Sequence, residues 1–195
     1  MTTSIVDGQN TRMNTSDPTL TDMLVSTPPR EVSGQRSANR FSFQHSWGIC
    51  LMLRLHQESD NDYCVLFEVH DDIVELNCSK SPTEAKFYQI KTKTTTGNWT
   101  VTKLVYRELG ANRERLSSII GNLYGQYLRF KNSVHKLVIV SNAHFKIKMN
   151  NDSESTEVDL ISFTDVNDTE INKISEKLKA EYNLDSEPNG LILST

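Results

Sequence analysis

Long apolar runs are missing from these 195 residues, and mean hydropathy is −0.49. A membrane-spanning helix needs about 20 consecutive apolar residues, so no membrane partner is expected. The opening MTTSIVDGQNTRMNTSDPTLTDMLVSTPPRE places no apolar core behind a basic start, which excludes a secretory signal. Cysteine is scarce. Cys50, Cys64 and Cys78 form no CxxC pair and cannot all pair with one another, which suits a reduced, cytoplasmic protein better than a disulfide scaffold. Five prolines and eight glycines are too few for collagen-like or Pro/Gly low-complexity sequence. GxxxxGK[ST] and GxGxxG are absent, which disfavours nucleotide hydrolysis, and no GxSxG or Cys-His signature supports a covalent nucleophile. His45, His56, His70, His135 and His144 show no HxxxH spacing, so zinc is not expected, and His70 is read as a surface histidine.

What is present is an uneven distribution of charge. The net charge is −4, but residues 86–148 hold 12 Lys/Arg against two acids, a balance of +10 inside a −14 surround. One basic face in an acidic protein points to a polyanionic partner, although a solvated face without a ligand would give the same count.

Residues 1–33 are rich in Ser, Thr, Asp and Pro and lack periodicity, so a disordered or loosely attached lead-in is expected there. Apolar residues recur at helical spacing from Arg40 to His56. Strands are expected over Tyr63–Val69, Ile73–Leu76 and Lys86–Thr92, an amphipathic helix over Arg113–Phe130 and a strand buried on both faces over Lys136–Val140. A further strand, Glu157–Phe163, and a helix, Asp168–Glu181, close the series. One domain over 34–183 follows, with 184–195 as a tail or the start of a linker. The α-β-β-β-α-β order implies an α/β fold with a mixed sheet flanked by helices.

Asp71-Asp72 is followed seventeen positions after Asp72 by Gln89-Ile90-Lys91. Alternate residues of a strand share a face, roughly 6–7 Å apart, so Gln89 and Lys91 project together. Antiparallel pairing of the preceding strand would bring Asp72 to the same spot. A carboxylate, an amide oxygen and the Ile90 carbonyl suit a hard cation such as Mg²⁺, with Mn²⁺ an admissible substitute. Lys91 can then orient a water or stabilise phosphorane charge.

This acid…QxK arrangement resembles the signature of the PD-(D/E)xK nucleases, whose fold is restriction-endonuclease-like. The strings RSANRFSFQHSWGICLMLRLH, DYCVLFEVHDDIVEL, KFYQIKTKTTTGNWTVTKL and KLVIVSNAHFK together resemble the double-stranded DNA endonuclease domain of CD-NTase-associated (CBASS-type) bacterial anti-phage effectors. The resemblance covers about Glu31 to Glu181. It implies Mg²⁺-dependent cleavage of duplex DNA, with Asp72, Gln89 and Lys91 at the centre and Gln44, Glu68 and Asp71 in support. Glu68 remains an alternative to Asp72 as the acidic ligand. Gln89 stands where Glu or Asp is commoner, which removes one negative charge from the site. In such effectors the nuclease is joined to a SAVED sensor domain, and related nucleases work beside ATPase partners. A regulatory domain or partner subunit outside this chain is therefore implied, and a homo-oligomer is admissible.

Lys93, Lys103, Arg107, Arg113 and Arg115 follow the QxK strand and are expected to track phosphates. Trp99 is expected to pack under its loop, and Asn142 to bond a phosphate or cap the Ser141-Asn142-Ala143 turn. The competing functional class is a catalytically inactive nuclease-like module for DNA binding or assembly.

Overall fold

The computed structural model describes residues 19–27, 38–58, 62–93, 96–150, 152, 154–158 and 163–188. Strands β1 (Cys64–Val69), β2 (Asp71–Leu76) and β3 (Ala85–Lys91) form an antiparallel meander. After helices α3 (Val101–Leu104) and α4 (Ile119–Phe130), β4 (Val134–Ser141) joins β3 in parallel and completes a sheet of order β1-β2-β3-β4. A parallel neighbour requires such a crossover. Helices cover both faces, giving the mixed α/β, restriction-endonuclease-like architecture that the element order implied.

The central strands are apolar on both sides because each side meets a helix. Helix α2 (Ala38–Glu58) lays Leu51, with Trp47 and Leu55, over Ile73, Tyr88 and Ile90. Gly48 permits the close approach: a Cβ there would stand 2.8 Å from Ile73 Cδ1. On the opposite face, α4 places Leu123 and Phe130 over Val74, Leu76, Phe87 and Leu137. The other side of α4, with Ile120 and Tyr124, packs on α3, on strand β5 (Phe145–Lys148) and on Ile174 and Leu178 of helix α5 (Asp168–Tyr182). Strand β5 pairs with β6 (Ser155–Val158) in a separate two-stranded sheet. Among the described residues no helix is long and apolar enough to cross a membrane.

Four sequence expectations change. Within the stretch read as a loose lead-in, Leu20–Ser26 form helix α1; the rest of 1–33 lies outside the described residues. Thr19 and Asp22 make a capping box, and Leu20 and Leu24, one turn apart, are buried against the α4 face of the sheet. The helix expected from Arg113 begins only at Ile119, because Ser118 caps it: its Oγ accepts from Gly121 N–H at 2.9 Å, and Glu181 of α5 accepts from Ser118 N–H and Oγ–H. The strand expected over Glu157–Phe163 runs from Ser155 to Val158, with 159–162 outside the described residues and a 3₁₀ turn at Phe163–Asp165. His70 is buried rather than on the surface.

Candidate active site

The β1–β2 connection is unusually tight. Val69 pairs with Asp71, leaving His70 alone between them. Glu68 and His70 adopt left-handed backbone, φ 57° and 64°, which costs side-chain-bearing residues about 1 kcal/mol or more each. Three helices hold the connection in that shape. Gln126 of α4 donates its amide to the His70 carbonyl. His70 Nε2 lies 2.8 Å from the Leu24 carbonyl of α1, so that nitrogen carries the proton. Burial holds the His70 imidazole below its ordinary pKa, in the neutral form, and its ring meets Phe130 edge-on at 5.2 Å. From α2, Gln44 Nε2 donates to Glu68 Oε1 at 2.7 Å and to the Asp72 carbonyl at 2.9 Å.

The connection delivers Asp72 to the end of β3. Asp72 is 6% exposed, and its Oδ2 accepts from Ile90 N–H at 2.6 Å and from Gln89 Nε2 at 3.3 Å. Asp71 Oδ1 accepts from Asp72 N–H at 2.9 Å. Gln89 is 5% exposed, and its Oε1 has no hydrogen-bond partner among the described residues. A buried amide oxygen left without a donor costs free energy unless something else meets it. The second buried acid of β2, Glu75, is engaged elsewhere: it pairs with Lys86 at 2.5 Å and accepts from Tyr88 Oη–H at 2.6 Å. Burial, then that bond, pushes the Tyr88 hydroxyl far above its usual range. Lys91, half-buried, follows Gln89 on the same face of β3, opposite Ser141 of β4.

Among the described residues no three His, Cys, Asp or Glu side chains gather as a metal cluster. The donors here are instead one buried carboxylate and an amide oxygen, with Glu68 nearby through Gln44. The unpartnered Gln89 Oε1 beside Asp72 fits a hard cation that keeps most of its waters.

A family model described as Cap4, dsDNA endonuclease domain, matches residues 32–192. The chain belongs to that family. Helix α1 lies outside the matched range, yet it packs on the core of the Cap4-type domain and touches the His70 connection. Over 77 residues the chain is also 36% identical to Lamassu protein LmuA of Bacillus cereus strain VD014, a stretch covering 39% of this chain and 21% of that protein. The chain thus matches about a fifth of that curated relative's length. No solved structure gives a significant match.

Around the site of this Cap4-type domain, the basic residues separate by role. Lys93 Nζ and Lys103 Nζ converge on the Asn98 carbonyl, at 2.6 and 2.9 Å, and Lys93 also lies 4.3 Å from the Trp99 ring centroid. Partial burial, and then the charge of Lys103, lowers the Lys93 pKa. Arg113 and Arg115 are exposed. The Arg107 guanidinium donates to the carbonyls of Leu116 and Arg115, so it staples a loop. Trp99 is half-buried and donates Nε1–H to Ser141 Oγ at 2.7 Å. Asn142 clamps the exits of β3 and β4, accepting from Lys93 N–H at 2.8 Å and donating to the Lys93 carbonyl at 3.0 Å. Sequence reading missed Gln126 and the burial of His70. A lone glutamine within an apolar helix was the signal available for the first, and nothing local marked the second.

Proposed function

We propose that this chain is a divalent-metal-dependent endonuclease that hydrolyses phosphodiesters of duplex DNA and serves anti-phage defence. The observation that carries the reading is the buried Asp72–Gln89 pair, with its unpartnered amide oxygen, on the strand that presents Lys91. Membership of the Cap4 dsDNA endonuclease family supports duplex DNA as substrate, and the LmuA match supports a defence setting.

In this reading Asp72 and Gln89, with the Ile90 carbonyl, hold Mg²⁺, which supplies a Lewis acid at the scissile phosphate and a more acidic bound water. Gln44 fixes Glu68 and the Asp72 backbone, so the acidic groups reach their positions before substrate arrives. Lys91 holds the attacking water or offsets charge gathering on the phosphate. Lys93 and Lys103, whose ammonium groups share one neutral carbonyl, receive the flanking phosphate. The cytoplasm is the compartment where such an enzyme meets invading DNA. Unrestrained cleavage would harm the host, so control by a domain or subunit outside these residues belongs to the proposal.

Plasmid degradation tests it. Lys91→Ala and Asp72→Asn should each abolish cleavage while far-ultraviolet circular dichroism stays close to the parent, Asp72→Asn melting lower because Ile90 N–H and Gln89 lose a charged acceptor, and EDTA should stop the parent until Mg²⁺ is restored. Full cleavage by Lys91→Ala would overturn the catalytic assignment. If EDTA and Asp72→Asn leave every DNA-directed effect intact, a non-catalytic binding module is the better description.

A further inference from the structure

Between α3 and α4 the chain leaves the core after Val105 and regains it at Ser118. In between lies a small hairpin. Leu109 bridges Arg115, Leu116 N–H donates to the Glu108 carbonyl and Gly110 N–H to the Glu114 carbonyl, both at 2.8 Å. Arg107 fastens its base with two bonds of 2.9 Å to the carbonyls of Leu116 and Arg115. This stiff element holds outward what folding normally buries: Tyr106 and Leu109 are each 65% exposed, and Leu116 is 44% exposed. Exposed Arg113 and Arg115 stand among them, while the Glu114 carboxylate packs back on Gly110.

Topology locates the hairpin. β3 and β4 are parallel, and Lys91 and Ser141 share their C-terminal end. Helix α4 leads into β4 through a short turn at the opposite end. Its 12 residues span about 18 Å, against about 23 Å for the seven residues of β3. The N-terminus of α4, and the hairpin before it, therefore lie at the Lys91 end of the sheet.

We propose that residues 106–116 form an arm that grips duplex DNA beside the site. Arg113 and Arg115 take phosphates, and Leu109, flanked by Tyr106 and Leu116, lies against the sugars of a groove. The inference rests on the duplex-DNA reading above and adds an element to it. Charge complementarity selects the occupant: the arm sits within the +10 segment, at the end of the sheet where Lys93 and Lys103 converge. Aliphatic groups flanked by arginines are how groove-binding elements hold a bent or widened duplex.

The test measures binding of a short fluorescent duplex by the full chain in a Lys91→Ala background, across about 50–200 mM salt. Arg113→Ala with Arg115→Ala should weaken binding at least about tenfold and reduce the salt slope by about two, near 0.9 per phosphate contact. Leu109→Ser should weaken binding about fivefold with the slope unchanged, since it removes apolar contact alone. All three side chains are exposed, so melting should match the parent, and Arg107→Ala provides a second route by loosening the arm. Unchanged affinity and slope in the hairpin variants would overturn the arm, including the case in which this surface docks a protein. Failure of the parent to bind duplex would overturn it as well. Cleavage is the separate readout for the site: weakened binding in the hairpin variants of a chain that cuts nothing would support the arm and sink the nuclease reading, whereas cutting with unchanged binding would sink the arm alone.

Discussion

Gln89 marks where charge and geometry at the site meet. A glutamate in its place would put a carboxylate where an amide now donates to Asp72 Oδ2 at 3.3 Å. Without a cation the two anions repel, and a bond to a charged acceptor, worth about 1.5–3 kcal/mol, is lost. Gln89→Glu should therefore lower the apo melting temperature by about 3–12 °C, using about 2–4 °C per kcal/mol for a chain of this size. It should also enlarge the rise in melting temperature on adding Mg²⁺ beyond that of the parent, because ligand charge strengthens binding to a hard cation. Differential scanning fluorimetry with and without Mg²⁺ reads both shifts; equal Mg²⁺ responses would remove Gln89 from the metal site. The Asp72–Gln89–Lys91 grouping was legible in the sequence because two short-range rules, alternation along a strand and antiparallel pairing, are enough to assemble it. His70 was not. Its partners, Leu24 and Gln126, lie 46 and 56 positions away, and only tertiary packing brings them together.

Among the elements, every strand of the main sheet was readable, β1 and β4 from runs of β-forming residues and β3 from alternation, although β2 begins two residues before the expected Ile73, at Asp71. Boundaries failed where capping outweighed pattern. The apolar spacing continues back to Leu116, but Ser118, fixed by Glu181 from 63 positions away, starts α4 at Ile119 and frees 108–116 for the hairpin. Short elements failed too: α1 has seven residues, and its one local signal, the Thr19–Asp22 capping box, opens too short an apolar pattern to mark a helix. That helix is a structural part of the domain. Leu24→Ala should cost about 2–4 kcal/mol and lower the melting temperature by roughly 4–16 °C, whereas Val25→Ala, on a residue 83% exposed, should leave it unchanged. Equal melting of the two variants would mean that α1 does not dock on the core.

Across the whole molecule, the +10 segment resolves into groups with different work. Arg129, Lys131 and Lys136 lie at the end of α4 and the start of β4, at the far end of the sheet from Lys91. Arg107 is spent on carbonyls within its own loop. Four of the five expected phosphate contacts remain at the Lys91 end: Lys93, Lys103, Arg113 and Arg115. Each releases about 0.9 counterion from duplex DNA, so log Kd against log salt should have a slope near 3.6, and affinity should fall about 150-fold between 50 and 200 mM salt. Charge counting alone predicts otherwise: with all 12 basic residues of the segment engaged, the slope would approach about 11. Fluorescence anisotropy at several salt concentrations separates the two values, and a slope well above four would place DNA on the far end of the sheet as well.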